Sequence, residues 1–255
     1  RAEGEDVDTY TITPSAAADS NYTVSFVTAD FTITAAALTV TADADTKVYG
    51  ATDPTLTYTI TGFVNGDEEA DLDTGVSILR AEGEDVDTYT ITPSAAADSN
   101  YTVSFVTADF TITAAALTVT ADADTKVYGA TDPTLTYTIT GFVNGDEEAD
   151  LDTGVSISRA EGEDVDTYTI TPSAAADSNY TVSFVTADFT ITAAALTVTA
   201  DADTKVYGAT DPTLTYTITG FVNGDEEADL DTGVSILRAE GEDVDTYTIT
   251  PSAAA

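Results

Sequence analysis

The run Asn65-Gly66-Asp67-Glu68-Glu69-Ala70-Asp71-Leu72-Asp73 packs five carboxylates into one short stretch. Calcium takes six to eight oxygen ligands, often from alternating acidic positions in a loop. Asp67, Glu68, Asp71 and Asp73 are therefore candidate calcium ligands, together with Asp43, Asp45 and Asp53 upstream. The matching residues further along are Asp122, Asp124, Asp132, Asp146, Glu147, Asp150 and Asp152. The run lacks the spacing and the invariant glycine of an EF-hand. The alternative is a solvated acidic loop, whose self-repulsion a bound cation would relieve. Calcium is the only cofactor that this pattern suggests.

Other chemistries are weaker. Glycosidases work with two carboxylates about 5–10 Å apart, and many pairs are possible here. Each pair recurs in every copy of a repeat, with no histidine beside it, so no catalytic residues and no enzyme are expected. Lys47, Lys126 and Lys205 could form isopeptide bonds to Asp or Asn; the alternative is a strand-end lysine whose stem packs on Tyr49. Asn21, Asn100 and Asn179 each open an Asn-Tyr-Thr glycosylation sequon, and each also fits a turn that opens a strand. Tyr58, Tyr89 and Tyr101 fall at inward positions and read as core residues with the hydroxyl at the rim.

Composition narrows the partners. The chain has 46 Asp and Glu against 7 Lys and Arg, a formal net charge of −39, and no Cys, His, Trp or Met. Nucleic acid demands Lys and Arg, so it is excluded as a partner; anionic membrane surfaces are disfavoured for the same reason. No run of about 18 apolar residues is present, so no membrane insertion is expected in this segment. Disulfides and histidine bases are absent with their residues. The apolar fraction is 42% and strictly patterned, which argues against disorder despite the charge.

The elements that must position these residues are copied along the chain. The run RAEGEDVDTYTITPSAAA begins at Arg1, Arg80, Arg159 and Arg238, a period of 79 residues. Within the period one position differs: Leu79 and Leu237 correspond to Ser158. The period is long for a solenoid unit and suits a small domain. Apolar residues alternate with Thr or Ser at Leu38/Val40, Leu56/Tyr58/Ile60, Val76/Ile78, Tyr89/Ile91, Tyr101/Val103/Phe105 and Phe110/Ile112. This predicts six or seven strands per repeat in a sandwich-like all-β domain. Pro93 is expected to end the Tyr89 strand. The Ala triplets at 35–37 and 95–97 are too short to hold a helix. Position 79 should point outward if Val76 and Ile78 point inward.

The motifs Lys47-Val48-Tyr49-Gly50, Asp53-Pro54, Leu56-Thr57-Tyr58 and Gly62-Phe63-Val64-Asn65-Gly66-Asp67 resemble the MBG-type tandem repeats of large bacterial surface adhesins. So do Arg80, Gly83-Glu84-Asp85-Val86, Thr88-Tyr89, Asn100-Tyr101-Thr102-Val103 and Phe110-Thr111-Ile112-Thr113. The resemblance implies an extracellular stalk or adhesin segment on the bacterial cell surface, not an enzyme, and it carries over no ligand. It also sets the phase. Residues 1–36 read as the C-terminal part of a repeat, 37–115 and 116–194 as complete repeats, and 195–255 as an N-terminal part lacking two closing strands. This suggests a window from a longer array. Strand exchange, with residues 19–36 of another chain closing 195–255, is the sharper alternative.

The join Phe110-Thr-Ile-Thr-Ala-Ala-Ala-Leu117 contains no Pro, Gly or Ser spacer, so strand should run directly into strand. The expected architecture is a tandem array of identical 79-residue β domains forming an elongated rod, each domain adding about 35–40 Å at ~3.3 Å per strand residue. The expected partners are neighbouring repeats of the same chain and host or surface glycans or proteins. The competing functions are a multivalent array with one weak glycan or protein site per repeat and a self-assembling extracellular filament.

Overall fold

The computed structural model describes residues 5–253; Arg1, which opens the first RAEGED run, lies outside the described residues. The chain divides into two compact units. The first holds Arg1–Leu117, Gly141–Asp152 and Ala176–Val182, and the second holds Thr118–Thr140, Thr153–Ala175 and Ser183–Ala255. No α-helix occurs among the described residues, only strands and three short 3-10 turns.

The first unit opens with β1 (Thr9–Ile12) and β2 (Ala29–Thr32), paired antiparallel. Seven strands follow: β3 (Ala36–Ala42), β4 (Asp45–Val48), β5 (Tyr58–Thr61), β6 (Ser77–Arg80), β7 (Thr88–Ser94), β8 (Tyr101–Val106) and β9 (Ala108–Thr113). They form a three-stranded sheet ordered β5-β3-β8 and a four-stranded sheet ordered β4-β9-β7-β6. Two pairings are parallel, β3 with β8 and β4 with β9; the others are antiparallel. Leu38, Val40 and Ala42 turn inward from β3, and Ile91, Phe110 and Ile112 from the larger sheet. Each such Leu, Ile, Val or Phe contributes about 1.5–3 kcal/mol by leaving water. The Thr residues between them occupy the outer faces, where a β-branched side chain suits the pleat and its hydroxyl meets water.

The second unit repeats the pattern. β10 (Ala115–Ala121), which begins in the first unit, pairs antiparallel through Thr118–Ala121 with β12 (Tyr137–Thr140). A four-stranded sheet joins β11 (Asp124–Val127), β13 (Ser156–Arg159), β14 (Thr167–Ser173) and β16 (Ala187–Thr192), with β15 (Tyr180–Val185) beside β10. Ala121, Ile170, Phe189 and Ile191 form its core, with Tyr128, Leu135, Ile157 and Tyr168 packed around them. The last copy contributes β17 (Thr197–Ala200), β18 (Tyr216–Thr219), β19 (Val234–Arg238) and β20 (Ile249–Ala253) as two antiparallel pairs.

Leu79 is 70% exposed, as the alternation around Ile78 requires, so its replacement by Ser at 158 leaves the core untouched. Pro93 departs from expectation. It lies inside β7, buried and opposite Ile78. The Ala81 N–H bond to the Thr90 carbonyl sets the alternation of the β6–β7 ladder. By that alternation Ile78 and Pro93 are a pair that exchanges no hydrogen bonds. The proline nitrogen thus faces the side that β9, paired only with Thr88–Ile91, does not cover. No ladder bond is lost, and the ring serves as core. The Ala triplet after it is neither helix nor passive linker. Ala95 holds φ +69°, and the Ala96 N–H reaches the Ser94 carbonyl at 2.9 Å. Ala174 repeats the turn at φ +69°.

A left-handed L-residue costs about 1–2 kcal/mol, and glycine returns about 0.5–1 kcal/mol of that as chain entropy. Ala95→Gly with Ala174→Gly should therefore raise the unfolding free energy by roughly 0.5 kcal/mol or more per site. Urea unfolding of the variant and the parent measures it; a lowered midpoint contradicts the strained-turn assignment.

Candidate functional site

Each complete repeat has only two cations, and both enter one cluster. Lys47 points inward from β4, Asp53 comes from the loop that follows, Arg80 ends β6, and Glu84 lies in the loop before β7. The Lys47 ammonium donates to Asp53 Oδ1 at 2.6 Å and to Glu84. The Arg80 guanidinium grips Asp53 through Nε at 2.5 Å and Nη2 at 3.2 Å, bonds Glu84, and donates to the carbonyls of Ala81 and Gly83. Its Cζ lies 5.0 Å from the Phe110 ring centre and 5.6 Å from that of Tyr89. The Lys47 side chain is 3% exposed. A charge so far from water is tolerable only when paired and hydrogen-bonded.

The electrostatics lock the cluster in its charged form. Arg80 first, then Lys47, pull the Asp53 carboxyl down to about 2. Burial pulls Lys47 down, but its hydrogen bonds to Asp53 and Glu84 outweigh that and leave it raised. Amide formation between these two would need a neutral amine and a protonated acid, so the cluster opposes an isopeptide bond. The same four-residue cluster recurs in the second unit as Lys126, Asp132, Arg159 and Glu163, and again as Lys205, Asp211, Arg238 and Glu242.

The acidic residues singled out as calcium candidates are dispersed among structural tasks. Asp53 and Asp132 belong to the ion clusters. Asp43 accepts from the Thr57 and Thr59 hydroxyls, and Asp122 from Thr136. Asp45 and Asp124 accept the backbone N–H of the next residue. Asp71 and Asp150 accept the N–H groups of Glu68 and Glu147, which begin the 3-10 turns. Asp73 and Asp152 hold the N–H groups of Ser99 and Ser178 at 3.0 Å. Asp67 accepts the Tyr101 hydroxyl at 2.6 Å. Among the described residues, no three carboxylates converge as a metal cluster.

A second site lies inside the first unit, where residues of one repeat meet the 141–152 and 176–182 segments of the next. Tyr49 packs edge-on against Tyr180, with ring centres 5.4 Å apart, and donates its hydroxyl to Asp146 at 3.0 Å. Asp146 also accepts from Tyr180 at 2.7 Å, and the Val143 N–H donates to the Tyr180 oxygen at 3.0 Å. Burial, and Asp146 after it, push the Tyr180 hydroxyl up to about 12, against the pull of that N–H. Gly50 sits at φ +78°, and a Cβ there would come within 2.4 Å of Val143. Asn179 reads the facing backbone: its Oδ1 accepts the Val86 N–H at 2.8 Å and its amide donates to Asp85 at 3.2 Å. One period earlier in the same unit, Asn100 makes the same two bonds to Val7 and Asp6.

Sequence reasoning expected neighbouring repeats to be closely coupled but missed the residues that do it, reading Tyr49 only as cover for a lysine stem and Asn179 only as a turn or sequon. The recess beside it, lined by Tyr49, Phe142, Glu147, Asp177 and Tyr180 among others, holds about 90 Å³. That is far below the 300–1,000 Å³ of a typical ligand pocket. A wider groove of about 520 Å³ runs beside the ion cluster, lined by Asp53, Pro54, Leu56 and residues 79–84.

A family described as MBG domain (YGX type) matches residues 1–32, 38–111, 117–190 and 196–255. The Tyr-Gly pair of that description stands here as Tyr49-Gly50, Tyr128-Gly129 and Tyr207-Gly208. No curated protein sequence matches the chain.

Two outcomes follow from the geometry. The Asp53 carboxyl is depressed from 3.8 to about 2, as are those of Asp132 and Asp211. Its stabilising contribution is complete above about pH 4 and disappears as pH falls through about 2. A chain carrying Asp53→Asn, Asp132→Asn and Asp211→Asn should therefore melt below the parent by a constant margin from pH 7 to pH 4. The margin should close towards pH 2; one that persists there contradicts the charged cluster. At the joint, Asn179→Ala leaves the Val86 N–H without its acceptor, a loss of about 1–3 kcal/mol. Amide hydrogen exchange at Val86 should accelerate roughly tenfold or more, while amides of β7 and β9 keep their protection.

Proposed function

The chain belongs to the MBG domain family (YGX type), and from that membership we propose that it is a spacer, a stalk segment of a bacterial cell-surface adhesin that holds a distal binding region away from the cell. Tandem MBG repeats fit a repetitive segment of a surface protein, and the family is a structural repeat domain. The observation that carries the reading is the joint in the first unit. Tyr49, Gly50, Asp85 and Val86 engage Val143, Asp146, Asn179 and Tyr180 through a ring contact, three hydrogen bonds and a close backbone approach. Only Ala114 separates β9 from β10, and the Ala115 N–H is already bonded to the Asn179 carbonyl at 3.0 Å. A connection without slack passes orientation from one repeat to the next, as a spacer needs. The high negative charge suits it, because chains side by side repel one another.

The second reading is a multivalent binding array, and the groove beside Asp53 and Arg80 favours it as the place for one weak ligand per repeat. Its polar lining is engaged internally by the ion cluster, which leaves few groups to recognise a sugar.

Display of the chain on a cell, with a fluorescent tag beyond residue 255, separates the two. Deleting residues 116–194 should draw the tag in by a fixed step of about 35–40 Å, and deleting 37–194 by twice that. Binding to glycan- or mucin-coated surfaces should be absent at every repeat number. Unchanged reach refutes the spacer, and affinity that climbs steeply with repeat number establishes the array.

A further inference from the structure

We propose that each repeat is built to bear tension, with its first and last strands forming a clamp that is loaded in shear. The chain enters the complete repeat of the first unit at Ala36 and leaves it at Thr113. Its first two strands run beside its last two in the same direction. β3 lies parallel to β8 from Ala36↔Tyr101 to Thr41↔Val106, and β4 lies parallel to β9 from Asp45↔Phe110 to Val48↔Thr113. Antiparallel hairpins are the commoner and simpler pairing, so this arrangement is not the default for a small β domain.

Direction decides how such a ladder breaks. Tension draws Ala36 back and Thr113 forward. Because the paired strands are parallel, the loaded ends lie at opposite ends of the ladder. The strands must slide past each other lengthwise, and every rung shares the load at once. Had the loaded ends lain at the same end, each rung would fail in turn.

Three further features serve the clamp. β3 lies between β5 and β8, and β9 lies between β4 and β7, so both strands that receive the load are inner strands of their sheets. Neither can leave without also breaking an antiparallel ladder. Side chains tie the parallel pairs: Thr39 and Ser104 hydroxyls are 3.1 Å apart, Ser104 donates to the Leu38 carbonyl, and Thr113 donates to the Lys47 carbonyl, both at 3.2 Å. Backbone bonds close the two outer ends, Ala36 N–H to the Asn100 carbonyl at 3.0 Å and Tyr49 N–H to the Thr113 carbonyl at 2.8 Å. In the second unit, β11 and β16 repeat the parallel pairing from Asp124↔Phe189 to Val127↔Thr192. The proposal deepens the spacer reading by naming the load, but it is tested on the isolated chain. A failed clamp leaves an unloaded spacer standing, and a failed reach measurement leaves the rupture force unaffected.

The chain has no cysteine, so introduced pairs give unique handles for single-molecule pulling. Handles at Ala35→Cys and Ala114→Cys load the repeat through its natural ends. Handles at Ala35→Cys and Ser99→Cys pull the β3–β8 ladder apart from one end. At matched loading rate, rupture through 35 and 114 should need at least about twice the force of rupture through 35 and 99, since forced unfolding follows the barrier along the pulling direction. Equal or lower force through 35 and 114 overturns the proposal. The unsubstituted chain, pulled by terminal tags, gives a second measurement independent of the handles. It should show force peaks separated by the length of a 79-residue repeat, roughly 280 Å less its folded span at ~3.6 Å per residue; featureless extension overturns the proposal as well.

Discussion

The repeat depends on its closing strands coming back alongside its opening ones. The chain contains an internal comparison that isolates this pairing. In residues 37–113, β9 brings Phe110 and Ile112 into the centre and gives β4 a partner. Residues 195–255 correspond to 37–97 and so do not include the counterpart of Tyr101–Thr113. There the residues equivalent to β4, 203–206, form no strand, and the seven-residue β3 shrinks to the four-residue β17. The Lys205 side chain rises to 20% exposure against 3% for Lys47. The local sequence is the same in both copies, so intrinsic strand preference cannot explain the difference. What makes Asp45–Val48 a strand is the partner laid against it, as expected where β propensity is mostly a record of packing.

Charge is organised around the same pairing. Lys47 is placed by the β4–β9 ladder, and it meets Arg80 through the shared carboxylates Asp53 and Glu84. The two cations of the repeat thus bind β4, β6 and two loops over the Phe110 ring. The remaining carboxylates are too many to be neutralised by cations of the chain, and many instead accept hydrogen bonds from loop backbone and hydroxyl groups. An ionised acceptor makes a shorter and stronger bond than a neutral one, so acidity serves the loops locally while it costs self-repulsion globally.

Much of this was legible in the sequence, because a period of two reports on one face of one strand. Leu38 and Val40, Tyr89 and Ile91, and Phe110 and Ile112 lie where their alternation predicts. Pairing direction was not legible: Leu-Thr-Val-Thr reads the same whether its partner runs parallel or antiparallel. Pro93 was misread because the general rule against proline in ladders has an exception that depends on register, and register is set by the partner strand. Ala95 was missed because nothing in an alanine announces a positive φ. Tyr49 and Asn179 were missed for a related reason. Their partners lie 97 and 93 residues away, and within a single repeat neither has an evident role. The one available signal was Gly50 after Tyr49, a residue with no side chain where a neighbour must come close.

The joint also limits where the copies can differ. It is heterologous, since the face formed by Tyr49, Gly50, Asp85 and Val86 is unlike the face formed by Val143, Asp146, Asn179 and Tyr180. A repeat in the middle of an array must present both. A residue that is free of the core can therefore still be fixed by a neighbour, which removes much of the surface from the set of harmless changes. A Cβ at Gly129 would come within 2.5 Å of Val222 in the second unit, just as one at Gly50 would meet Val143 in the first, so the constraint returns with the period. Position 79 escapes both demands. Its side chain points out of β6, and it takes no part in the joint contacts. It is there that Leu79 and Leu237 face a Ser at 158, the one internal difference between the copies.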